Sequence, residues 1–290
     1  MANARTIVKR RKAVRNIRKI TQTMQLIATA RFQKCLQRAQ ASRPYTEKIS
    51  EMISVLAEME SVEHPLLRTN AGSDKSVLLA ITSNRGLCGA YNGSVLRTAI
   101  AQKKKLDSAG TPPEIEMVGK KGIAYMRFLR ESLSQTVTDV DDKIAFARVS
   151  EMAQRYIGAY EAGEVASVDV VYMRFVSVGS QIPTVARLLP IEPPETDDGG
   201  EHGARPDFEF SPPPAELLGR LIPQTVKIRL FQYFNDAIVS EQVGRMVAMK
   251  AATDAAGDMI TFLTRQYNRA RQSAITTELA DIVGGAAAVE

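Results

Sequence analysis

The chain has 290 residues, enough for one large or two ordinary domains with an ample apolar core, and a formal net charge of +6, which points toward an acidic partner or surface. Its two cysteines, Cys35 and Cys88, make no C-x-x-C pair, and its two histidines, His64 and His202, lie far apart without metal-ligand spacing. A disulfide framework, a zinc site and a thiol–imidazole nucleophile are therefore not expected, and neither is a membrane span or a signal peptide, because no apolar run approaches ~20 residues.

The first segment, from about Ala4 to Glu60, contains no Gly and one Pro, Pro44, so it is expected to be a long helix that Pro44 bends. Val14, Ile17, Ile20, Met24 and Ile27 recur at steps of three and four, as do Ile49, Met52, Ile53 and Leu56. From Met1 to Thr46 there is no Asp or Glu, while Arg5, Lys9, Arg10, Arg11, Lys12, Arg15, Arg18 and Lys19 begin a dense positive field. A transit peptide would be Ser-rich, and no Ser precedes Ser42. A nucleic-acid arm and a basic helix face meeting an acidic protein surface both remain open.

The middle, about Asp74 to Pro190, alternates in character. "SVLLAITS" reads as a strand, "NGSVLRTAIAQKKKLDSAG" as a helix closed by Gly110, "EIEMVG" as a strand and "KGIAYMRFL" as a helix. "TVTDV" is a further candidate strand, "DDKIAFARVSEMAQRYIGAYEAG" a long amphipathic helix, and "VASVDVVYMRFVS" a β-branched strand. This alternation predicts a Rossmann-like βαβ domain around a largely parallel sheet. The glycine-bearing turn "TSNRGLCGAYN" after the first strand stands where a phosphate loop would stand, but Gly86, Gly89 and Gly93 fit neither the dinucleotide nor the Walker spacing. No cofactor and no small-molecule substrate are expected there.

"LLPIEPPETDDGGEHGARPDFEFSPPP" is rich in Pro, Gly and acids and reads as an irregular connection, with "DFEF" as a short strand or contact patch. Beyond it the chain turns helical from about Ala215 to Val283, with Pro223 expected to kink the helix or end a first short one. Val239, Val243, Met246, Met249, Thr253, Ala256, Ile260, Leu263, Tyr267, Ala270 and Ala274 mark an apolar seam whose steps average about 3.5 residues, the coiled-coil period. A helix of ~60 residues extends ~90 Å, more than a compact domain of this size needs. The expected architecture is an antiparallel two-helix coiled coil from the N- and C-terminal helices, with the α/β domain inserted between them. Its divisions fall at 1–60, 74–190, 191–214 and 215–290, and its seam residues include Ile17, Ile20, Val243, Met246, Ile260, Leu263 and Tyr267.

Specific motifs carry a family resemblance. "RMVAMKAATDAA" (Arg245–Ala256) and "ARQSAITTELADIVGGAAA" (Ala270–Ala288) closely resemble the C-terminal signature of the gamma subunit of F-type ATP synthase, met at Ile275, Thr276, Glu278, Asp281, Gly285, Ala286 and Ala288. "IRKITQTMQLIATARFQK" is similar to that family's first helix, "TSNRGLCGAYN" to its turn after the first strand, and "SQIPTVARLLP" also fits. The resemblance covers essentially the whole chain. It implies a non-catalytic central-stalk rotor that turns inside a ring of three alpha and three beta subunits, its α/β domain sitting with the epsilon subunit on the membrane c-ring.

By that resemblance Lys19 and Met24 face the acidic lever of beta, Glu241, Arg245, Gln272 and Thr276 make polar contacts with beta loops, and the tip containing Leu279 and Ile282 turns in an apolar sleeve. The chain start matches the family's start, which implies the cytoplasmic face of a bacterial inner membrane, peripherally bound. Two departures stand out. The connection at 191–214 has no Cys, so the dithiol switch of chloroplast relatives is not expected, and Asn84 and Ala90 replace a commoner Asp and Gly. The contrasting reading, a nucleic-acid-binding protein using the basic first helix, would want stacking aromatics or basic residues on both arms, whereas the second arm carries Glu278 and Asp281.

Overall fold

A computed structural model describes residues 4–59, 64–70, 72–191 and 214–287. The elements are α1 (Ala4–Met59), a 3-10 turn (Pro65–Leu67), β1 (Ser76–Ile81), α2 (Tyr91–Ser108), β2 (Pro113–Val118), α3 (Lys120–Phe128), β3 (Gln135–Val137), α4 (Phe146–Glu161), β4 (Ser167–Ser177), β5 (Ser180–Leu189) and α5 (Pro214–Ala287). The chain forms two compact units, one from Arg31 to Gly244 and one from the chain ends, up to Ala30 and from Arg245 onward. These packing boundaries fall inside both terminal helices rather than at their ends near residues 60 and 215. The expected connection at 191–214, "DFEF" and His202 lie outside the described residues, apart from Ile191 and Pro214 themselves.

The larger unit holds a five-stranded sheet in the order β3-β2-β1-β4-β5. β1 pairs in parallel with β2 and β4, and β2 with β3, while β5 returns antiparallel along β4. Every residue of β1 is buried, as a central parallel strand covered on both faces requires. Val77, Leu79 and Ile81 point into one core with Val149, Met152, Ala153, Tyr156, Ile157 and Tyr160 of α4. Phe32, Cys35 and Ala39 of α1 and Ile222, Val226, Leu230, Phe234 and Val243 of α5 share that core, so the inner parts of both terminal helices belong to the α/β layer. Leu78 and Ala80 point the other way, against Val95, Leu96 and Ala99 of α2 and Ile123 and Met126 of α3. The result is a three-layer sandwich.

Two buried carboxylates staple the layers. Glu116 of β2 takes two hydrogen bonds from the Arg155 guanidinium of α4, at 2.9 and 2.7 Å, and one from Tyr156 Oη at 2.7 Å. Asp169 of β4 accepts from Arg187, its cross-strand neighbour on β5, at 2.8 Å and from Gln102 of α2 at 2.8 Å. With the charge matched and the oxygens engaged, neither carboxylate is an unpaired buried ion, whereas removing one partner of such a pair costs about 3–5 kcal/mol.

Three local expectations are revised. β5 is an additional strand, which the sequence pattern does not announce. Of the two outcomes expected at Pro223, the end of a first short helix does not occur: α5 runs unbroken through it, with the Thr225 hydroxyl donating to the Leu221 carbonyl at 2.9 Å. β3 is only Gln135–Val137, shorter than "TVTDV" and shifted toward its start.

Candidate functional site

The turn after β1 is where an open α/β sheet places its ligand, since the strand order reverses between β1 and β4. Here the polar groups of that turn are consumed by the chain itself. Asn84 Nδ2 donates to the Thr138 and Val140 carbonyls at 2.9 and 2.7 Å, and its Oδ1 accepts the Lys120 N–H at 3.1 Å. The Lys121 N–H goes to the Ser83 carbonyl at 3.1 Å, and the Gly122 N–H to Thr82 Oγ1 at 3.0 Å. Three of the free N–H groups at the start of α3, the ones that would attract a phosphate, are thereby satisfied.

Gly119, at φ +94°, brings β2 so close that a Cβ would lie 2.3 Å from the Thr82 carbonyl oxygen. On the other side α5 closes over the same end of the sheet. Ser240 Oγ donates to the Met173 carbonyl at 3.1 Å, and a Cβ on Gly244 would lie 2.8 Å from the Cys88 carbonyl oxygen. The turn is a structural knot that joins the ends of β1, β2 and β3 beneath α5. Ala90 stands at φ −80° and ψ −3°, a conformation any residue adopts, so the departure from Gly there carries no strain.

Cys88 is buried, with Asn92 Nδ2 3.2 Å from its sulfur. Burial first, and then the Asp142 carboxylate, push the Cys35 thiol above its ordinary pKa, which keeps it protonated at neutral pH. Asp142, in the loop before α4, is gripped by Arg31 of α1 and by Gln242 Nε2 of α5 at 2.7 Å, a clamp that sequence spacing does not reveal. Among the described residues no cluster of His, Cys, Asp and Glu could hold a metal ion, and no helix is long and apolar enough to cross a membrane.

The second unit pairs the start of α1 with the end of α5. Arg11 lies over the Tyr267 ring at 5.1 Å, Arg18 lies beside Gly257, and Thr253 Oγ1 donates to Thr21 Oγ1 at 2.8 Å. Later residues of α1 thus meet earlier residues of α5, and the two run antiparallel. In this unit the covered positions of α1 are Ile7, Thr21 and Ala28, with Arg11, Val14, Met24, Gln25 and Thr29 half-buried; positions 7, 14, 21 and 28 follow a seven-residue repeat that mixes apolar, polar and small side chains. On α5, Met249, Ala256 and Leu263 are buried and Met246, Thr253, Ile260 and Tyr267 half-buried.

The expected seam residues Ile17 and Ile20 differ from this: they are 52% and 59% exposed, on the outer side of α1, because Thr21 and the half-buried Val14 and Gln25 take the facing positions. Val243 packs in the sheet unit instead. Ile17 and Ile20 join Leu26 and Ile27 as exposed apolar side chains on α1, and α5 exposes Val247, Met259 and Phe262.

Among the other sequence candidates, Lys19, Gln272 and Thr276 are exposed, Met24 and Glu241 half-buried, and Arg245 buried. All described positions from Ala274 to Gly285 are exposed, including Leu279, Ile282 and Val283, which form a one-sided apolar stripe at helical spacing. An exposed apolar stripe of this kind marks an interaction surface. Phe32 of α1 is buried and offers no face for base stacking.

Comparison with known proteins agrees over the full length. A family model described as "ATP synthase" matches residues 3–289. The chain is 42% identical over 295 aligned residues to the ATP synthase gamma chain of Rhodopirellula baltica, and 37% identical over 290 to that of Leptospira biflexa, each alignment covering 100% of both proteins. Among solved structures it is similar in fold to a chain of the Euglena gracilis mitochondrial ATP synthase OSCP/F1/c-ring structure, with TM-score 0.67 and 18% identity, covering 99% of this chain and 94% of that one. A chain of the Tetrahymena thermophila central stalk/c-ring structure matches with TM-score 0.57 and 19% identity, covering 80% of this chain and 99% of that one.

Proposed function

The chain belongs to the ATP synthase gamma-chain family, and on that footing we propose that it is the rotor shaft carrying torque between a membrane c-ring and a hexamer of three alpha and three beta subunits. It has no catalytic site of its own in this reading. The terminal helices, 1–60 and 215–290, turn within the hexamer, the α/β part at 74–190 rides with epsilon on the ring, and 191–214 connects them. The complex lies at the cytoplasmic face of a bacterial inner membrane, to which this chain is peripheral. Rotation driven by protons yields ATP, and hydrolysis drives the reverse.

The observation that carries the reading is the outer surface of the helix pair, where Ile17, Ile20, Leu26, Ile27, Val247, Met259 and Phe262 stand exposed. Two helices of different sequence have no three-fold symmetry, so in this reading each beta subunit meets a different face at any one angle. A ligand shifts an equilibrium only by its differential affinity for the two states, and the rotor acts on each nucleotide site as such a ligand. Switching a site from 1:99 to 99:1 takes about 5.5 kcal/mol. Covering one Leu, Ile or Phe side chain supplies about 1.5–3 kcal/mol, so two to four of these contacts suffice.

Lys19, Met24, Glu241, Arg245, Gln272 and Thr276 are the positions proposed to read beta, and Leu279 and Ile282 to turn in the apolar sleeve. Ile260→Asp or Leu263→Asp tests the reading, because a carboxylate in the seam splays the helix pair while leaving the sheet unit folded. Proton transport should then uncouple from ATP turnover in the reconstituted complex, and retained coupling would contradict the assignment.

A further inference from the structure

Asp142 stands where both terminal helices leave the sheet unit, which begins at Arg31 on α1 and ends at Gly244 on α5. Its carboxylate holds Arg31 and accepts from Gln242 Nε2 of α5 at 2.7 Å. Its backbone carbonyl takes Arg38 Nη1 at 3.2 Å and Cys35 Sγ at 3.5 Å. Arg31, Cys35 and Arg38, at steps of four and three on one face of α1, thus converge on a single loop residue together with a side chain of α5.

The other end of the same loop is tied to the sheet. Asn84, in the turn after β1, donates to the Thr138 and Val140 carbonyls at 2.9 and 2.7 Å, a fastening that an ionised carboxylate at position 84 could not make. Residues 138–142 therefore form a strap from the central strand to both helices. The apolar core also holds α1 and α5 to the sheet, but apolar contact is non-directional and opposes separation more than the rolling of a helix about its axis. A hydrogen bond weakens steeply with angle, so the strap resists the motion that the core leaves soft.

We infer that this strap, with Asp142 as its positioning residue, sets the torsional stiffness of the joint between the two long helices and the sheet unit. This role rests on the rotor reading and adds to it the residue through which twist passes.

The test measures the angular fluctuations of a marker fixed to the sheet unit, in an immobilised complex of this chain with alpha and beta subunits stalled by withdrawal of ATP. Stiffness is the inverse of the angular variance. Asp142→Ala removes both side-chain bonds and should raise the variance about twofold, Asp142→Asn keeps the acceptor for Gln242 and should raise it less, and Asp142→Glu should restore most of the stiffness. Added salt should soften the parent, whose Arg31 and Asp142 side chains are each about a third exposed, and leave Asp142→Ala nearly unchanged. Glu116→Gln is the control, since the Glu116 pair with Arg155 joins β2 to α4 and its loss should lower stability with the variance unchanged. A parent-like variance in Asp142→Ala, or an equal rise in Glu116→Gln, overturns the inference. A parent complex that does not turn when ATP is restored overturns the rotor reading and this role with it, so the two failures are told apart.

Discussion

The hydroxyl of Thr253 donates to the hydroxyl of Thr21 across 2.8 Å, a polar bond in the middle of the helix pair. Thr21 passes its own proton to the Arg18 carbonyl at 3.1 Å, and Thr253 Oγ1 also lies 2.8 Å from the Met249 carbonyl. Each single Thr→Val change is expected to destabilise the full chain by about 0.5–1.5 kcal/mol, the net worth of one such bond. The double Thr21→Val, Thr253→Val variant should recover most of the loss, since two valines meet without an orphaned hydroxyl. A double-mutant cycle in urea measures the coupling, and strictly additive losses would contradict the contact.

Asn84 donates to two carbonyls that an aspartate at the same position would repel. Asn84→Asp is therefore expected to destabilise the sheet unit by about 1–3 kcal/mol near neutral pH. Lowering the pH should recover part of this, because a protonated carboxyl regains one donor. Urea midpoints at pH 7 and pH 4, compared with the parent chain at each, check both statements.

Gly244 sits where a side chain would press on the Cys88 carbonyl. A Cβ there would lie 2.8 Å from a backbone oxygen that cannot swing aside as a side chain could, so the gain in helix propensity is outweighed and Gly244→Ala is expected to cost about 1–2 kcal/mol. Gly244→Val adds two further methyl groups at the same contact, and a larger loss, about 2–3 kcal/mol, is expected. Thermal unfolding of the two variants separates these outcomes.

His64 accepts the Leu66 N–H on Nδ1 at 3.2 Å, which requires the neutral ring, and burial lowers its pKa. Above its unfolded value of about 6.5 both states are neutral and the contribution to stability is fully present. As pH falls below that value the unfolded chain takes up the proton first, so stability is lost until the folded pKa is passed. His64→Asn keeps an acceptor and removes the titration. The difference in stability between parent and variant should change between pH 7 and 5, and a constant difference would contradict the assignment.

Legibility in the sequence followed the physics of each element. The α5 seam could be read because Met249, Ala256, Ile260, Leu263 and Tyr267 are apolar or amphipathic at the coiled-coil period. The α1 seam could not, because its covered positions are Ile7, Thr21 and Ala28 while the conspicuous isoleucines at 17, 20 and 27 face outward. Two apolar phases on one helix were the available signal: one phase packs within the chain and the other is left for a partner. β5 escaped notice because Pro183 and an irregular polar pattern disguise it, and an edge strand tolerates both.

The sharing of α1 and α5 between two packing units has no sequence mark, since both helices read as uniform. Ligand placement at the β1 turn was arguable from glycine spacing alone. The reason the turn is filled, its bonds to the start of α3 and its cover by Gly244, is visible only in three dimensions.

The measurement that tests the account most directly is single-molecule observation of a marker fixed to the exposed edge of the sheet unit, in an immobilised complex of this chain with alpha and beta subunits supplied with ATP. The account predicts turning in one direction with three pauses per revolution, one for each beta subunit. ATP hydrolysis at full rate while the marker stays still, or turns without preferred direction, would contradict it.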